Sequence, residues 1–246
     1  MIADRLIAHR GCSLLAPENT LGAMALTKKL GVTWVEIDAN LVGDGNVIVF
    51  HDNHLDRLTN GQGKLVDSNL DALSKLDAGS HFSADFAGEP IPTLDLMLQQ
   101  LSRDKMGLNL EIKVYPEFKA EQIVPEVIRS LEKYWQDFDR LIISSFSIEA
   151  LSLVRQQKPE WQLGQLWVNL PKNWLALAEP LDLVSIHCDG ERLTEEQVQA
   201  VKTAGYDLYV YTINDKAEGE KLFAMGVDGL ITDDPTLFAE LDVDHA

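Results

Sequence analysis

Short runs of β-branched and aliphatic residues alternate along this chain with amphipathic stretches long enough to form helices. This alternation is typical of repeated βα units whose strands build one parallel sheet. There are eight such runs: Leu6–His9, Trp34–Asn40, Gly107–Lys113, Leu141–Ser145, Gln162–Leu166, Leu183–His187, Leu208–Tyr211 and Gly229–Thr232. Because eight strands close such a sheet into a barrel, the sequence predicts an α/β fold of the TIM (β/α)8 type.

The length and the charge balance narrow the classes of partner. The chain has 246 residues, 46% of them hydrophobic, which suits a single barrel domain over residues 1–246. Its 21 Lys and Arg face 39 Asp and Glu, so the formal net charge is −18 and the field repels nucleic acid and anionic lipid. We therefore expect a small-molecule partner, no nucleic acid and no stable membrane association. The sequence does not indicate the oligomeric state.

The N-terminus and the cysteines bear on cellular location. The first residues, MIADRLIAHRG, include Asp4 and no apolar run of signal-peptide length, and no stretch approaches membrane-spanning length. Two cysteines, Cys12 and Cys188, are too few for a disulfide framework and fit a reducing compartment. These features predict a cytoplasmic protein.

A segment after the second strand departs from the βα rhythm. The chain there reads LVGDGNVIVFHD, and a strand that returns so soon cannot make a parallel crossover, which needs a dozen or more residues. A β-hairpin after strand 2 is therefore predicted. With Asp44-Gly45 as its two-residue turn, the hairpin places Asp38 opposite His51.

A second irregular segment follows the hairpin, at about residues 53–92. It contains several glycines and polar residues but no strand pattern, so we expect a small insertion instead of a βα unit. Because it comes directly after His51, it could form a lid or wall over a site at the barrel mouth. Loop packing alone would explain it equally well.

Two predicted strands carry acidic side chains on one face. Side chains alternate across a strand, so Glu36 and Asp38 share one face, as do Asn109, Glu111 and Lys113. A lone pair of such acids usually binds arginines or faces solvent, but two acidic strands in one barrel would crowd three carboxylates together. Such crowding favours a cation among them, and an all-oxygen site suits Mg²⁺ or Ca²⁺. We therefore predict one divalent cation held by Glu36, Asp38 and Glu111.

The net charge of this predicted site suits an anionic substrate. A dication, three carboxylates and the two cations Arg10 and Lys113 leave a single positive charge. That charge matches a phosphodiester monoanion. Phe146 and Tyr211, at the ends of predicted strands, could cover an apolar face of such a substrate, although aromatic residues there more often serve barrel packing.

Two histidines lie at positions where catalytic residues are expected. His9 closes the first strand, at the barrel end where active sites are built, and His51 closes the hairpin. Phosphodiester cleavage needs a base for the attacking oxygen and an acid for the departing one, and imidazole can serve as either near neutral pH. We therefore predict that His9 and His51 are catalytic. The other histidines fit hydrogen-bonded core or surface positions: His54, His81, His187 and His245.

With these residues in place, the sequence closely resembles the glycerophosphodiester phosphodiesterases, particularly the short cytoplasmic bacterial type. Each motif alone is weak, but their order and spacing are specific and cover nearly the whole chain. The matching motifs are His9-Arg10-Gly11, Pro17-Glu18-Asn19-Thr20, Glu36-Ile37-Asp38, His51-Asp52, Glu111-Ile112-Lys113, Ser145-Phe146, Tyr211-Thr212-Ile213-Asn214 and Gly226-Val227-Asp228-Gly229-Leu230-Ile231-Thr232-Asp233.

The resemblance implies the same site that the residues indicate. It implies a TIM barrel with a small insertion after the second histidine, a divalent metal on Glu36, Asp38 and Glu111, and acid–base roles for His9 and His51. It also implies that sn-glycerol 3-phosphate and a free alcohol are the products.

The resemblance further implies substrate contacts. Phosphate contacts are expected from Arg10 and Lys113. Where many members carry Trp before Thr in the late strand, this chain has Tyr211, which keeps an aromatic side chain at that wall.

The predicted reaction is metal-dependent hydrolysis of glycerophosphodiesters such as glycerophosphocholine or glycerophosphoethanolamine. In our hypothesis His9 deprotonates the glycerol 2-hydroxyl and His51 protonates the leaving alcohol. The reverse order and direct attack by water remain as alternatives. Two other functions were weighed: a lysophospholipid-type phosphodiesterase, which the acidity disfavours, and a catalytically silent phosphate- or metal-binding barrel, which would need neither histidine.

Overall fold

The structure is a computed structural model that describes residues 3–238, so His245 lies outside the described part of the chain. The strands in that range are β1 (Leu6–Ala8), β2 (Trp34–Leu41), β3 (Val47–Val49), β4 (Gly107–Ile112), β5 (Leu141–Ser145), β6 (Gln162–Trp167), β7 (Ser185–Asp189), β8 (Asp207–Tyr211) and β9 (Gly229–Thr232). The α-helices are α1 (Leu21–Lys29), α2 (Leu70–Leu73), α3 (Leu94–Asp104), α4 (Ala120–Tyr134), α5 (Ile148–Gln157), α6 (Trp174–Ala178), α7 (Glu195–Thr203) and α8 (Lys216–Met225). None of these helices is long and apolar enough to cross a membrane.

Eight of the strands close into a barrel. They run parallel in the order β1-β9-β8-β7-β6-β5-β4-β2, and β1 also pairs with β2. The remaining strand, β3, is antiparallel to β2 and stands outside the closed barrel. The predicted TIM barrel with a hairpin after its second strand is therefore confirmed.

The register of the hairpin differs from the prediction by one residue. Ala39 pairs with Val49, and the N–H of Phe50 donates to the carbonyl of Asp38 at 2.9 Å. The prediction that Asp38 lies opposite His51 is therefore wrong, since Phe50 occupies that place.

A three-residue loop explains this shift. The N–H of Val42 donates to the carbonyl of Asn46 at 2.9 Å, which leaves residues 43–45 in the loop. Gly45 has φ +84°, a left-handed conformation that glycine adopts without strain. Three-residue hairpin loops commonly end in such a residue, whereas the prediction assumed two.

Apolar side chains fill the layer between the barrel strands and the helices. Val35 and Ile37 of β2 point outward into this core, where they join Leu98 of α3 and Val127 of α4. Burying each such side chain stabilises the fold by about 1.5–3 kcal/mol. The alternate residues of β2 consequently face the barrel interior.

The barrel interior is apolar at one level and polar at the next. One buried cluster inside the barrel consists of Ala3, Ile7, Trp34, Ile142, Tyr209 and Ile231. Along β2, Trp34 of this cluster is followed on the same face by Glu36 and Asp38, toward the carboxyl end of the strand. The carboxyl ends of the strands are where barrel enzymes place their active sites.

The segment at residues 53–92 shares a small core with the hairpin. It contains α2 and no strand of the barrel, in agreement with the predicted insertion. Its buried apolar residues pack with those of the hairpin in one cluster: Val42, Ile48, Phe50, Leu55, Leu58, Leu65, Leu73, Ala78 and Ile91. The insertion is therefore packed as an extension of the hairpin.

Candidate active site

Three buried carboxylates meet at the carboxyl ends of β2 and β4. The strand register sets Asp38 beside Glu111, while Glu36 lies two residues earlier on the same face of β2. One oxygen from each carboxylate lies within 4.8 Å of the others, and all three residues are buried. The structure thus brings together the three predicted ligands, in a cluster that could hold a metal ion.

The carboxylates perturb one another strongly. Burial, then the charges of Asp38 and Glu111, raise the pKa of Glu36 well above its ordinary value. Burial also raises the pKa of Glu111 to about 7, although Lys113 opposes this. The pKa of Asp38 is lowered, because Lys113 and Arg10 outweigh the effect of burial. A cation among these groups would relieve their repulsion.

Arg10 follows His9 in a tight left-handed turn. Arg10 has φ +53° and Gly11 φ +81°, and a Cβ on Gly11 would lie 2.8 Å from the Cβ of Ala23. The turn lets the Arg10 N–H donate to Glu36 Oε2 at 3.1 Å, while its guanidinium Nε stands 3.2 Å from Asp38 Oδ2. Arg10 therefore contacts two of the three carboxylates.

Lys113 and Asn19 hold the same carboxylates from other sides. Lys113 Nζ lies 2.8 Å from Glu111 Oε1 and 3.3 Å from Asp38 Oδ1. The side-chain amide of Asn19 donates to Asp38 Oδ2 at 2.8 Å and accepts from the Asp38 N–H at 3.2 Å. Asp38 is thereby fixed on both its side chain and its backbone.

His9 is backed by a carboxylate from the last strand. Its Nδ1 lies 2.6 Å from Oδ1 of Asp233. Ser13 donates to the same oxygen, and the side-chain amide of Asn214 donates to Oδ2. These contacts lower the pKa of Asp233 to about 2 despite burial, with the hydrogen bond from His9 as the strongest favourable cause. A charged Asp233 favours a proton on Nδ1, which leaves Nε2 of His9 free to accept one.

His51 has a similar arrangement with its neighbour in sequence. Its Nδ1 lies 2.7 Å from Oδ1 of Asp52, and its carbonyl accepts a hydrogen bond from the hydroxyl of Tyr115. Burial lowers the pKa of His51, and the cations Lys113 and Arg10 lower it further, against the attraction of Asp38. Hydrogen bonds at both the ring and the backbone carbonyl therefore fix the orientation of His51.

A pocket of about 230 Å³ collects all the predicted site residues except Asp38, which is buried and does not line it. His9, Arg10, Glu36, His51, Glu111 and Lys113 line it together with Phe146 and Tyr211. The rings of Phe146 and Tyr211 meet edge to face with centroids 6.1 Å apart, and Phe146 is 46% exposed. One wall of the pocket is therefore aromatic, while the others carry charge.

The insertion and three further histidines lie outside this pocket. Among the described residues, none from 53–92 lines this pocket, so the insertion is not one of its walls. His187 is buried with Nε2 2.9 Å from the hydroxyl of Ser185, and burial lowers its pKa to about 3. His54 and His81 are exposed. All three match the positions expected of histidines outside the site.

Sequence reasoning assigned no role to several residues of the site. Asp52, Asp233 and Asn19 lie within the motifs that carried the resemblance, but nothing in the spacing paired them with His51, His9 and Asp38. Asp52 offered a signal, since a carboxylate next to a histidine in sequence can reach its ring. Asp233 offered none, because its distance from His9 along the chain is 224 residues.

Comparisons with known proteins agree with this geometry. The model of the glycerophosphoryl diester phosphodiesterase family matches residues 9–237. A glycerophosphodiester phosphodiesterase of Caldanaerobacter subterraneus is 36% identical over 96% of both chains, and one of Bacillus subtilis is 32% identical over 96% of this chain and 86% of its own. A solved phosphodiesterase of Oleispira antarctica, in complex with the product sn-glycerol-3-phosphate, is 36% identical with a TM-score of 0.94, covering 98% of this chain and 97% of its own.

The family match begins directly after β1 and covers the other barrel strands and every motif that carries the site. The two catalytic histidines predicted from the sequence, the carboxylate cluster and both cations all fall within the matched residues. The chain therefore belongs to the glycerophosphoryl diester phosphodiesterase family of hydrolases.

Proposed function

We propose that this enzyme hydrolyses glycerophosphodiesters, such as glycerophosphocholine or glycerophosphoethanolamine, to sn-glycerol 3-phosphate and a free alcohol. The family supplies the class of reaction, and the product in the Oleispira antarctica phosphodiesterase supports the glycerol phosphate half of the substrate. The observation that carries the proposal is the pairing of each pocket histidine with a carboxylate at Nδ1, beside one cluster of three acids.

The donor set of the cluster fits one hard divalent cation. Glu36, Asp38 and Glu111 offer only oxygen ligands, which suit Mg²⁺ or Ca²⁺. Glu36 Oε1 is buried and has no hydrogen-bond partner among the described residues, so it is available as a ligand. When bound, such a cation would polarise the phosphoryl oxygens and offset their negative charge.

In the first step, proton transfers at His9 and His51 accompany the exchange of bonds at phosphorus. Nε2 of His9 takes the proton of the glycerol 2-hydroxyl as its oxygen bonds to phosphorus. The bond from phosphorus to the alcohol oxygen breaks, and His51 gives its Nε2 proton to that oxygen. The products of this step are the free alcohol and a cyclic glycerol phosphate.

In the second step the two histidines exchange roles. His51 takes a proton from water as the water oxygen bonds to phosphorus. The bond to the glycerol 2-oxygen breaks, and His9 returns its proton there, which yields sn-glycerol 3-phosphate and restores both side chains.

The partners of the two carboxylates favour this order of roles. Asp52 shares its charge with Arg57, which donates to both of its oxygens, so it stabilises an imidazolium at His51 less. The other described partners of Asp233 are a hydroxyl and an amide, both neutral, so its full charge faces His9. These contacts suit His51 to the acid role and His9, with Asp233 at its Nδ1, to the base role.

The remaining pocket residues bind substrate in this proposal. Arg10 and Lys113 present cations to the phosphodiester, and an arginine suits the two oxygens of a phosphate especially well. Phe146 and Tyr211 cover the carbon atoms of the glycerol or the alcohol with their edge-to-face rings.

The cysteines and the net charge bear on the location and the partners of the enzyme. The two cysteines are free and buried, which fits a cytoplasmic enzyme. The net charge of −18 argues against a polyanionic partner and against a substrate embedded in anionic lipid.

The direct test couples glycerophosphocholine hydrolysis to an assay for sn-glycerol 3-phosphate, with and without a chelator. We expect metal-dependent release that His51→Ala reduces by about a hundredfold or more, as for loss of an acid–base group. His54→Ala is the matched control, because His54 is exposed and does not line the pocket. Absence of release with any divalent metal, from folded protein, would refute the proposal.

The cyclic route has its own test. An analogue that lacks the glycerol 2-hydroxyl cannot form the cyclic phosphate, so we expect no turnover of it. Turnover at the normal rate would instead support direct attack by water.

A further inference from the structure

Arg57, in the insertion, makes a dense set of contacts just behind the active site. Its Nε and Nη2 donate to the two oxygens of Asp52 at 2.7 and 2.8 Å. Its Nη1 and Nη2 also donate to the two oxygens of Glu18 at 2.8 and 3.0 Å. One guanidinium therefore binds two carboxylates, each through two hydrogen bonds. The planar guanidinium of arginine is suited to this geometry, and the ammonium group of lysine is not.

Each of these carboxylates holds a residue of the pocket. Asp52 accepts from Nδ1 of His51 at 2.7 Å, and Glu18 accepts from Nη1 of Arg10 at 2.7 Å. Arg57 itself does not line the pocket, so its effect on the site passes through Asp52 and Glu18. The result is a continuous hydrogen-bonded chain from His51 to Arg10 with Arg57 at its centre.

The insertion fixes the backbone that carries Arg57. Leu55 and Leu58, on either side of it, are 4% and 3% exposed in the small core shared with the hairpin. The backbone N–H of Leu55 donates to Gly63 within the insertion, and that of Thr59 donates to Leu55. The Arg57 side chain is 49% exposed, yet it starts from a packed segment and ends on four carboxylate oxygens.

We propose that Arg57 is a positioning residue that sets the Asp52–His51 pair for proton donation to the leaving alcohol and steadies Arg10 through Glu18. The inference rests on the proposed function, with His51 as the acid of the first step. It also gives the insertion a purpose, because residues 53–92 would serve to place this guanidinium.

Proton donation matters only where the leaving group needs a proton. Choline leaves as an alkoxide unless it is protonated, whereas 4-nitrophenol leaves readily as a stable anion. A misplaced His51 should therefore slow a choline ester much more than a nitrophenyl ester. A loosened Arg10 would instead weaken binding of both esters, because they share the phosphate.

The experiment compares glycerophosphocholine with glycerol 3-(4-nitrophenyl phosphate) on wild type, Arg57→Gln and Arg57→Lys, all with bound metal. For Arg57→Gln we expect the rate of choline release in a single turnover to fall about tenfold or more, a part of what a whole acid group can contribute. The rate of 4-nitrophenol release in a single turnover should change little, because it precedes the water step in which His51 acts as base, and KM should rise for both esters. Arg57→Lys keeps the charge but loses the planar guanidinium that donates paired hydrogen bonds. Its rates should lie between those of wild type and Arg57→Gln.

Arg129→Gln is the matched control, because Arg129 is similarly exposed, at 52%, and its recorded ion pair is to Glu126 in its own helix. It should match wild type with both esters. Thermal unfolding of each variant checks the fold, and if Arg57→Gln does not fold, Arg57→Lys alone must show the selective loss.

The outcomes separate this inference from the function on which it rests. A fall in the single-turnover rate of alcohol release that is equal for the two esters, or no fall at all, would overturn the positioning role of Arg57 and leave the proposed hydrolysis intact. A wild-type enzyme that cleaves neither ester would overturn both.

Discussion

The substitution Asp233→Asn is a direct test of the proposal that His9 acts as the first base. The substitution keeps the size of the side chain but removes its charge and can place an amide NH₂ opposite Nδ1 of His9, where the carboxylate now lies at 2.6 Å. Nδ1 would then accept a hydrogen bond, so the proton would move to Nε2 and the ring could not act as the first base. We expect kcat to fall by about 10²–10⁴, which corresponds to about 3–5 kcal/mol of activation free energy.

The same substitution should lower stability by a smaller amount. Against burial, the hydrogen bond and charge of His9 lower the pKa of Asp233 to about 2, from an ordinary value of 3.8. This difference corresponds to about 2.5 kcal/mol, reduced to about 1–2 kcal/mol because the group is partly solvated. For a chain of 246 residues the expected fall in melting temperature is about 2–8 °C. This stabilisation is present above pH 3.8 and is lost as the pH falls toward about 2.

The assay is release of sn-glycerol 3-phosphate at saturating glycerophosphocholine, with thermal unfolding measured in parallel. Asp234→Asn is the control, because Asp234 accepts hydrogen bonds from Thr236 and none from His9. It should keep nearly full activity. An Asp233→Asn enzyme that retained more than about a tenth of the wild-type kcat would refute the reasoning, because a lost acid–base group costs at least about a hundredfold.

Four further predictions concern the acids, the insertion and the aromatic wall. Glu36→Gln should abolish metal-dependent turnover and raise the melting temperature of the metal-free protein at neutral pH, because it removes one of three repelling carboxylates. In a chelator the melting temperature of the wild type should rise relative to that of Glu111→Gln as the pH falls from 7 to 5, since burial raises the pKa of Glu111 from 4.5 to about 7 and its protonation then favours the folded state; an equal pH dependence of the two proteins would contradict this origin. Leu58→Ala should cost about 2–5 kcal/mol in the small core, measured by denaturant unfolding, and should lower turnover of the choline ester through Arg57; unchanged turnover would separate the insertion from the site. Phe146→Ala should change stability by less than about 0.5 kcal/mol, because the ring is 46% exposed, but should raise KM; an unchanged KM would remove Phe146 from the substrate wall.

The barrel and its acidic cluster could be predicted because both follow from local alternation. In β2 and β4 each inward acid is flanked by outward aliphatic residues, so Glu36, Asp38 and Glu111 were assigned to one interior before any tertiary contact was known. Parallel strands then bring their carboxyl ends together, which is a general property of the fold.

The contacts around the cluster could not be predicted in the same way. The hairpin register depended on whether Gly45 belongs to the loop, and one residue of error moved Phe50 into the place assigned to His51. Arg57 lies in a segment without periodicity, and its partner Glu18 is 39 residues earlier in the chain, before α1. Such contacts arise from packing of the whole insertion and leave no mark on local spacing.

The bond between His9 and Asp233 has a consequence for biosynthesis. His9 is translated 224 residues before its partner, and β1 gains its hydrogen bonds to β9 only when that last strand has been made. At about 5–20 residues per second, a nascent chain waits about 11–45 s between the two events. The closing of the barrel between β1 and β9 and the contact of His9 with Asp233 therefore both depend on the same late segment of the chain.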